Sequence, residues 1–593
     1  MCGIVGYIGK ENARNIIVTG LMRLEYRGYD SAGLTLFNKD ASRFDIYKDI
    51  GRVEKLDIST DKLMSHIGIG HTRWATHGMV NQTNSHPHSS HSGRFVIVHN
   101  GVIENYLELK LKYLRHSQFK SDTDTEVIAH LIENFSKEFS VEVAILRTLK
   151  LLKGSYALLI IDTLDSHKLY AAKNKPPLLI GRANHGITVT SDMMALVDYA
   201  TEFIDLEDKS FIVVSNNDIR IFDYEHEPLA YKPQTLTMQK ESTEKGIFPH
   251  FMLKEIHEEP LIIRKILNKY FKDEKVLIDQ NLVETLDFSQ RVYIIAAGTS
   301  MHAGLASKQA IETFTGKPVE VILASEFVYN DYLIDKNPFF ILISQSGETA
   351  DLIAAYKKLK ADKYKVLTIT NVNTSSLAKL SDFVLSLEAG PEIAVASTKA
   401  YVAQICVLMI LAYRLSSGVF PLKQELSKIA SNMEAMLSNT NDIQKVVSQK
   451  VYKQNLFYIG RGTDYATALE AALKLKEVSY IHTEGFAAGE LKHGTIALIE
   501  EGTPVIAIIT NPLTNLKTRS NLQEVVSRGA VPIVLTIKSL STKADDIVIE
   551  DVDSILSPIA MALPTQLIAY YAALNLGYDI DKPRNLAKSV TVE

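Results

Sequence analysis

The segments RVYIIAAGTSMHAGLASKQAIE, starting at Arg291, and NLFYIGRGTDYATALEAALKLKE, starting at Asn455, share one plan. Each opens on a short apolar run, turns on glycine and threonine, and continues as an alanine-rich helical stretch. A short apolar run followed by a helical period is the sequence form of a βα unit. From about residue 290 onward such units alternate, which predicts doubly wound parallel sheets covered by helices. The recurrence predicts two α/β lobes of one topology. The first 230 or so residues read differently. AGLTLF, RFVIVHN, SYALLIID and KSFIVVS are strand-like, and helical stretches interrupt them near 12–26 and 124–136, an α+β pattern rich in antiparallel sheet. Residues 235–260 are polar, lack a strand period and read as connecting chain. These changes of texture divide the chain into 1–236, a linker at 237–250, and 251–593, with lobes at about 281–423 and 448–583 and a tail at 584–593.

Several function classes fall away on composition. Of 593 residues, 46% are apolar and 22% charged, with net charge −5, an ordinary globular balance with no basic stripe for nucleic acid. The longest apolar run, YVAQICVLMILAY at 401–413, is too short to span a bilayer and predicts a buried helix. No secretory leader is visible at the start. The two cysteines, Cys2 and Cys406, cannot form a disulfide framework, which suits a reducing cytoplasm.

Two turns of the first lobe are rich in hydroxyls. IIAAGTS supplies Thr299 and Ser300; ILISQSGETADL supplies Ser344, Gln345, Ser346 and Thr349. In a parallel sheet such turns lie at the carboxyl edge, where each opens a helix whose free N–H groups attract anions. Hydroxyls and amides without lysine suit the monophosphate of a sugar. A GxxxxGK motif followed by Ser or Thr is absent, so a triphosphate loop is not indicated. One such turn alone would be a helix cap; two in one lobe point to a ligand. In ALEAALKLKEVSY, Glu470, Lys474 and Glu477 share one helix face, either a solvated salt-bridged face or, if buried, a proton-transfer site. His493 stands in the loop sequence GELKHG.

The front half carries a different set. MCGIVGYIG places a cysteine behind the initiator methionine, within an apolar stretch that reads as a buried strand. Once the methionine is removed, Cys2 would carry its own α-amine, of ordinary pKa about 8, able to take the thiol proton. HTRWATHG (71–78) offers Arg73 to a carboxylate, SDTDTE (121–126) offers Asp124 to an ammonium, and HNG (99–101) offers Asn100 and the Gly101 amide as an oxyanion hole. Together they describe a site for an α-amino acid beside a nucleophile. HPHSSH (86–91) has a spacing that zinc could use, without nearby cysteine or paired carboxylates, so no metal is expected.

The motifs MCGIVG, LEYRGYDSAG, HTRWATHG, HNG, SDTDTEVIAHL, SQSGETADL, VASTKA, EGFAAGELKHG and the tail PRNLAKSVTVE resemble the isomerising glutamine–fructose-6-phosphate aminotransferases, from the first residue to the last. The resemblance implies an N-terminal-nucleophile glutaminase domain, a four-layer αββα sandwich, followed by two sugar-isomerase lobes. It implies no cofactor. Its substrates would be glutamine and fructose 6-phosphate, its product glucosamine 6-phosphate, its setting the cytoplasm and its assembly a homodimer. Cys2 would form a γ-glutamyl thioester, with Asn100 and Gly101 on the oxyanion, Arg73 and Asp124 on the α-carboxylate and α-amine, and Thr76 and His77 lining the pocket. Trp74 would gate an apolar passage for ammonia. Thr299, Ser300, Ser344, Gln345, Ser346 and Thr349 would grip the phosphate, with Val395 and Ser397 beside the sugar. Lys588, desolvated by an inward-folded tail, would form a Schiff base with the C2 ketone. Glu477 would move a proton from C1 to C2, supported by Lys474 and Glu470, and His493 would open the ring from a neighbouring subunit.

The family often has cysteine where this chain has Ala297, and the extra loop of the nucleotide-sugar-inhibited eukaryotic members is missing, so the resemblance is to the bacterial type. The alternative is a paralogous glutamine-dependent enzyme acting on another ketose phosphate. Amidotransferases of phosphoribosyl or acyl-adenylate substrates would need an acidic phosphoribosyl motif or an SGGxDS-type loop, and neither is present. A non-catalytic sugar-phosphate regulator would have no use for Cys2, Glu477 and Lys588 together.

Overall fold

The computed structural model describes residues 2–75, 78–215, 218–235, 244–416 and 419–590. The chain forms two compact units, Met1–Glu244 and Lys245–Thr591.

In the first unit an eight-stranded and a six-stranded sheet, both antiparallel along their described ladders, pack face to face. Strand Gly3–Gly9 is buried along its whole length, between strands Gly186–Thr190 and Ile67–Arg73. Its alternation sets the layers. Ile4 and Ile8 enter the inter-sheet core with Ile69, Val98, Leu159 and Leu169. A Cβ on Gly6 would lie 2.6 Å from Leu159 Cδ1, so glycine there lets the sheets close. Val5 faces the other way, against Gly20 of helix Ala13–Leu24. The far face of the six-stranded sheet is covered by helices Glu126–Phe135 and Val141–Leu151, through Ile97, Ile128, Leu131, Ile145 and Phe211. Helix, sheet, sheet and helix make four layers, the αββα sandwich.

The second unit holds two parallel five-stranded sheets. The first runs in the spatial order Val319–Leu323, Arg291–Ala296, Pro338–Ser344, Val366–Thr370, Phe383–Ser386. The second runs His482–Ala487, Asn455–Gly460, Pro504–Ile509, Val531–Ile537, Ile547–Ile549. Both follow the order 2-1-3-4-5, so the recurrence in sequence is a repeat of topology. In this order a ligand crevice opens beyond the carboxyl ends of strands 1 and 3. The apolar run at 401–413 lies in helix Lys399–Tyr413, buried from Lys399 to Ala412 in one core with helix Ser557–Asn575.

The polar stretch read as connecting chain up to residue 260 changes character at residue 251. Phe251–Tyr270 is one helix, with Pro260 inside it, packed through Met252, Ile256, Ile263 and Ile266. Its buried face also carries Glu255 and Glu259, at 1% and 0% exposure. Two carboxylates on the apolar face hid the helical period from a reading by hydropathy. Among the described residues no helix is long and apolar enough to cross a membrane.

Candidate active site

Cys2 stands at the start of the central strand, and its thiol faces the turn that follows strand Ile67–Arg73. The Trp74 N–H donates to Cys2 Sγ at 3.2 Å, and the thiol reaches the Trp74 carbonyl at 3.4 Å. Burial pushes the thiol pKa up, against the Trp74 hydrogen bond and the Arg73 charge, which favour the thiolate. A thiol in this state needs a nearby base. The Ala75 N–H donates to Asp30 Oδ2 at 2.8 Å and holds the turn, while the Trp74 ring meets Tyr29 edge-on at 6.1 Å. Asn100 Nδ2 donates to the Cys2 carbonyl at 2.9 Å. Gly101 has φ +128°, and a Cβ there would lie 2.0 Å from the Ser155 carbonyl, so no other residue fits.

Arg73 is 3% exposed and donates to the carbonyls of Gly78 and Met79 at 3.2 and 3.3 Å. Asp124, also buried, accepts the Ile103 N–H at 2.7 Å. Cys2, Arg73 and Trp74 are thus drawn together by two adjoining strand ends, Asn100 reaches Cys2 from strand Phe95–Ile103 of the facing sheet, and Arg73 lies within electrostatic reach of Cys2 and Asp124. Thr76 and His77 lie outside the described residues. Of the histidines that suggested zinc, His91 is exposed, while His86 and His88 join His71 and His99 in a buried cluster near this site. His71 and His86 stack at 4.0 Å, the His99 N–H donates to His86 Nδ1, and His88 Nε2 meets Thr123 Oγ1. Burial pulls His71 down to about 3 and lowers His86 and His88 well below their ordinary range, so these rings are neutral. Among the described residues no group of three or more His, Cys, Asp or Glu could hold a metal.

The second constellation lies in the other unit. Strands Arg291–Ala296 and Pro338–Ser344 are parallel neighbours, so their turns adjoin at the carboxyl edge. Ser344 Oγ accepts the Gly347 N–H at 3.0 Å and contacts Thr349 Oγ1 at 2.9 Å; the Gln345 carbonyl accepts from Asn371. Ser300 Oγ accepts from Gln404 Nε2 at 2.9 Å, and Thr299 Oγ1 donates to Glu470 Oε1 at 3.1 Å. Ala297 is in extended backbone just ahead of helix Gly298–Thr315, with no cap bond from its side chain. The tail folds over these turns: Ser589 Oγ meets Ser346 Oγ at 2.9 Å, and the Ala350 N–H donates to the Val590 carbonyl. The Val395 N–H donates to the Asp581 carbonyl, which ties the Val395 loop to the base of the tail.

Glu470, Lys474 and Glu477 lie on helix Thr463–Ser479, and the face is buried. Lys474 is 1% exposed, 2.6 Å from Glu477 and 3.6 Å from Glu470. Glu470 also binds His302 Nδ1 at 2.8 Å, linking the two lobes. Burial pulls the Lys474 pKa down, but the carboxylates of Glu477, Glu470 and Glu392 more than offset it and hold the group charged. Lys588 Nζ is 2.5 Å from Glu392 Oε2, a carboxylate with no exposure at all. Ser397 donates to the same oxygen at 2.9 Å. His493 stands apart: it is exposed in the short turn Glu490–His493, and no described hydrogen bond joins it to this cluster.

Glu392 is the residue that sequence reasoning missed. The quoted motif VASTKA begins three positions after it, and a glutamate in a Gly-Pro-Glu loop gives no periodic signal.

A glutamine amidotransferase domain model matches residues 56–220, and a SIS domain model matches 286–414 and again 451–576. Isomerizing glutamine–fructose-6-phosphate aminotransferases from Halalkalibacterium halodurans and Geobacillus kaustophilus are 50% and 49% identical to the chain, over 100% of both partners in each case. The chain belongs to this aminotransferase family. Among solved structures, the C-terminal domain of glucosamine-fructose-6-phosphate aminotransferase from Francisella tularensis matches with a TM-score of 0.55 and 34% identity, covering 57% of this chain and 100% of that one.

Proposed function

We propose that the chain converts D-fructose 6-phosphate and L-glutamine into D-glucosamine 6-phosphate and L-glutamate, the opening step of amino-sugar biosynthesis, with the residues above in the following roles. Freed of Met1, Cys2 passes its thiol proton to its own α-amine and attacks the glutamine carboxamide. The C–N bond breaks, ammonia leaves, and water later cleaves the thioester. Asn100 and the Gly101 amide hold the oxyanion, Arg73 the α-carboxylate and Asp124 the α-ammonium, with Thr76 and His77 along the pocket. Trp74 screens the ammonia from water, where it would be protonated and lose its nucleophilicity.

In the other unit Thr299, Ser300, Ser344, Gln345, Ser346 and Thr349 hold the 6-phosphate at the strand ends, with Val395 and Ser397 beside the sugar. Lys588 forms an imine at C2, and Glu477 carries the proton between C1 and C2, with Lys474 and Glu470 fixing its position. The exposure of His493 in a single chain fits a homodimer in which His493 of the partner subunit opens the sugar ring. No cofactor enters these steps, and cytoplasmic substrates suit them. The observation that carries this reading is Lys588, in the last ten residues of the sequence yet with its side chain 4% exposed beside the phosphate-type turns. A lysine in a solvated tail would have no such burial. The experiment is product analysis with glutamine and fructose 6-phosphate, then with other ketose phosphates. Glucosamine 6-phosphate is expected from wild type, and free glutamate alone from Lys588→Arg. Amino sugar from Lys588→Arg, or a preference for another ketose phosphate, refutes it.

A further inference from the structure

The proposed imine leaves one step without an agent. An ammonium has no lone pair, so Lys588 must lose a proton before it can attack a carbonyl. Its only hydrogen-bonded carboxylate among the described residues is Glu392, at 2.5 Å. Glu392 lies in the loop between strand Phe383–Ser386 and helix Lys399–Tyr413, and four donors converge on it. The N–H groups of Thr398 and Ala400 bind Oε1 at 2.9 and 3.1 Å; the Ser397 hydroxyl and Lys588 bind Oε2. Two fixed amides lock one oxygen and aim the other at the amine.

The two neighbouring lysines are already committed. Lys399 is held by Glu258 at 2.6 Å and Lys474 by Glu477 at 2.6 Å. Glu255 accepts the Ile393 and Ala394 N–H groups with Oε1, while its buried Oε2 has no partner. Burial and the adjacent Glu392 carboxylate push Glu255 up to about 8, so at neutral pH it is protonated and does not compete for Lys588. One anion therefore faces one reacting cation.

We propose that Glu392 is the proton acceptor and donor for imine formation at Lys588, an inference that rests on the Lys588 reading above. Oε2 takes one ammonium proton as the nitrogen lone pair forms the N–C2 bond and the carbonyl π pair moves to oxygen. A second nitrogen proton passes to that oxygen. Glu392 then returns its proton to the hydroxyl, the C2–O bond breaks, water leaves, and a protonated imine remains beside the regenerated carboxylate. Protons and charge balance without any added reactant.

The test uses the full-length enzyme with fructose 6-phosphate and borohydride, reading the reduced sugar adduct on Lys588 by peptide mass. Glu392→Gln keeps the shape and should slow trapping about 100-fold or more, the usual scale of lost acid–base catalysis. Binding of glucitol 6-phosphate, which has the phosphate and no carbonyl, should stay within about threefold, as should sugar-free glutamine hydrolysis. Glu392→Asp keeps the charge but withdraws it by one methylene, and should trap faster than Glu392→Gln and slower than wild type. Wild-type trapping in Glu392→Gln overturns the proposal. So does an equal loss of trapping and polyol binding, which would make Glu392 structural. Should Glu392→Gln fail to fold, Glu392→Asp decides alone: trapping at the wild-type rate overturns the proposal, and slowed trapping with intact polyol binding supports it. Lys588→Arg separates the two layers, because an adduct surviving there refutes the Lys588 reading itself, whatever Glu392 does.

Discussion

Substituting Gly347 by alanine tests whether the Ser344–Thr349 turn is built to hold a phosphate. Gly347 has φ +66°, and its N–H donates to Ser344 Oγ at 3.0 Å. An alanine in this left-handed conformation costs about 1–2 kcal/mol. The added Cβ would lie 2.0 Å from Ser375 Oγ and 2.5 Å from Ser375 Cβ. Rotating the serine relieves only the first contact, so the turn itself must retreat by about 1 Å to reach van der Waals distance. A shift of that size removes at least one hydrogen bond to a charged phosphate, about 1.5–3 kcal/mol, or roughly a 10- to 100-fold rise in KM. The assay compares KM for fructose 6-phosphate with glutamine hydrolysis measured without sugar, which depends on the other unit. KM should rise by about that factor while hydrolysis is unchanged. Adding Ser375→Gly removes both offending atoms and should recover most of the loss, leaving the φ strain and a 3.0 Å approach to Thr370 Oγ1. A KM within about twofold of wild type for Gly347→Ala, or no recovery in the double variant, refutes the reasoning.

Three further substitutions probe the other parts. Cys2→Ala should abolish glutamine hydrolysis while amino-sugar synthesis from added ammonium salts survives; both are read by product chromatography. Lys474→Met takes from Glu477 and the 5%-exposed Glu470 side chain the lysine they share, leaving Glu470 only Thr299 and His302, a loss of about 3–5 kcal/mol for a broken buried pair. It should lower the unfolding midpoint and stop isomerisation. Asp464 is pushed up to about 6 by burial, against the Thr510 and Asn511 donors. Its folded pKa exceeds its unfolded one, so its contribution is greatest below about pH 4 and is lost as pH rises to about 6, up to roughly 3 kcal/mol. Asp464→Asn should therefore flatten that part of the stability–pH curve and raise the melting temperature at pH 7, which thermal scans at several pH values will show.

What the sequence disclosed and what it hid divide along physical lines. Periodicity reports burial of apolar side chains, and it marked the βα repeats, the strand behind Cys2 and the helix around 401–413, where apolar residues make up most of the buried surface. It was blind where the interior is charged. Glu255 and Glu259 sit on the buried face of helix Phe251–Tyr270, so that face reads as polar chain. Helix Val141–Leu151 escaped for another reason: VEVAIL at its start alternates as a strand would. The Glu470–Lys474–Glu477 face was legible as a helical stripe, but whether it met water depended on Thr299 and His302 of the other lobe. Lys588 and Glu392 are the extreme case, joined across 196 positions. A buried charge is stable only with its partner, and nothing local in a chain says which distant residue that partner will be. Motif resemblance singled out Lys588 because it carries family knowledge; it passed over Glu392, the buried carboxylate that Lys588 meets at 2.5 Å.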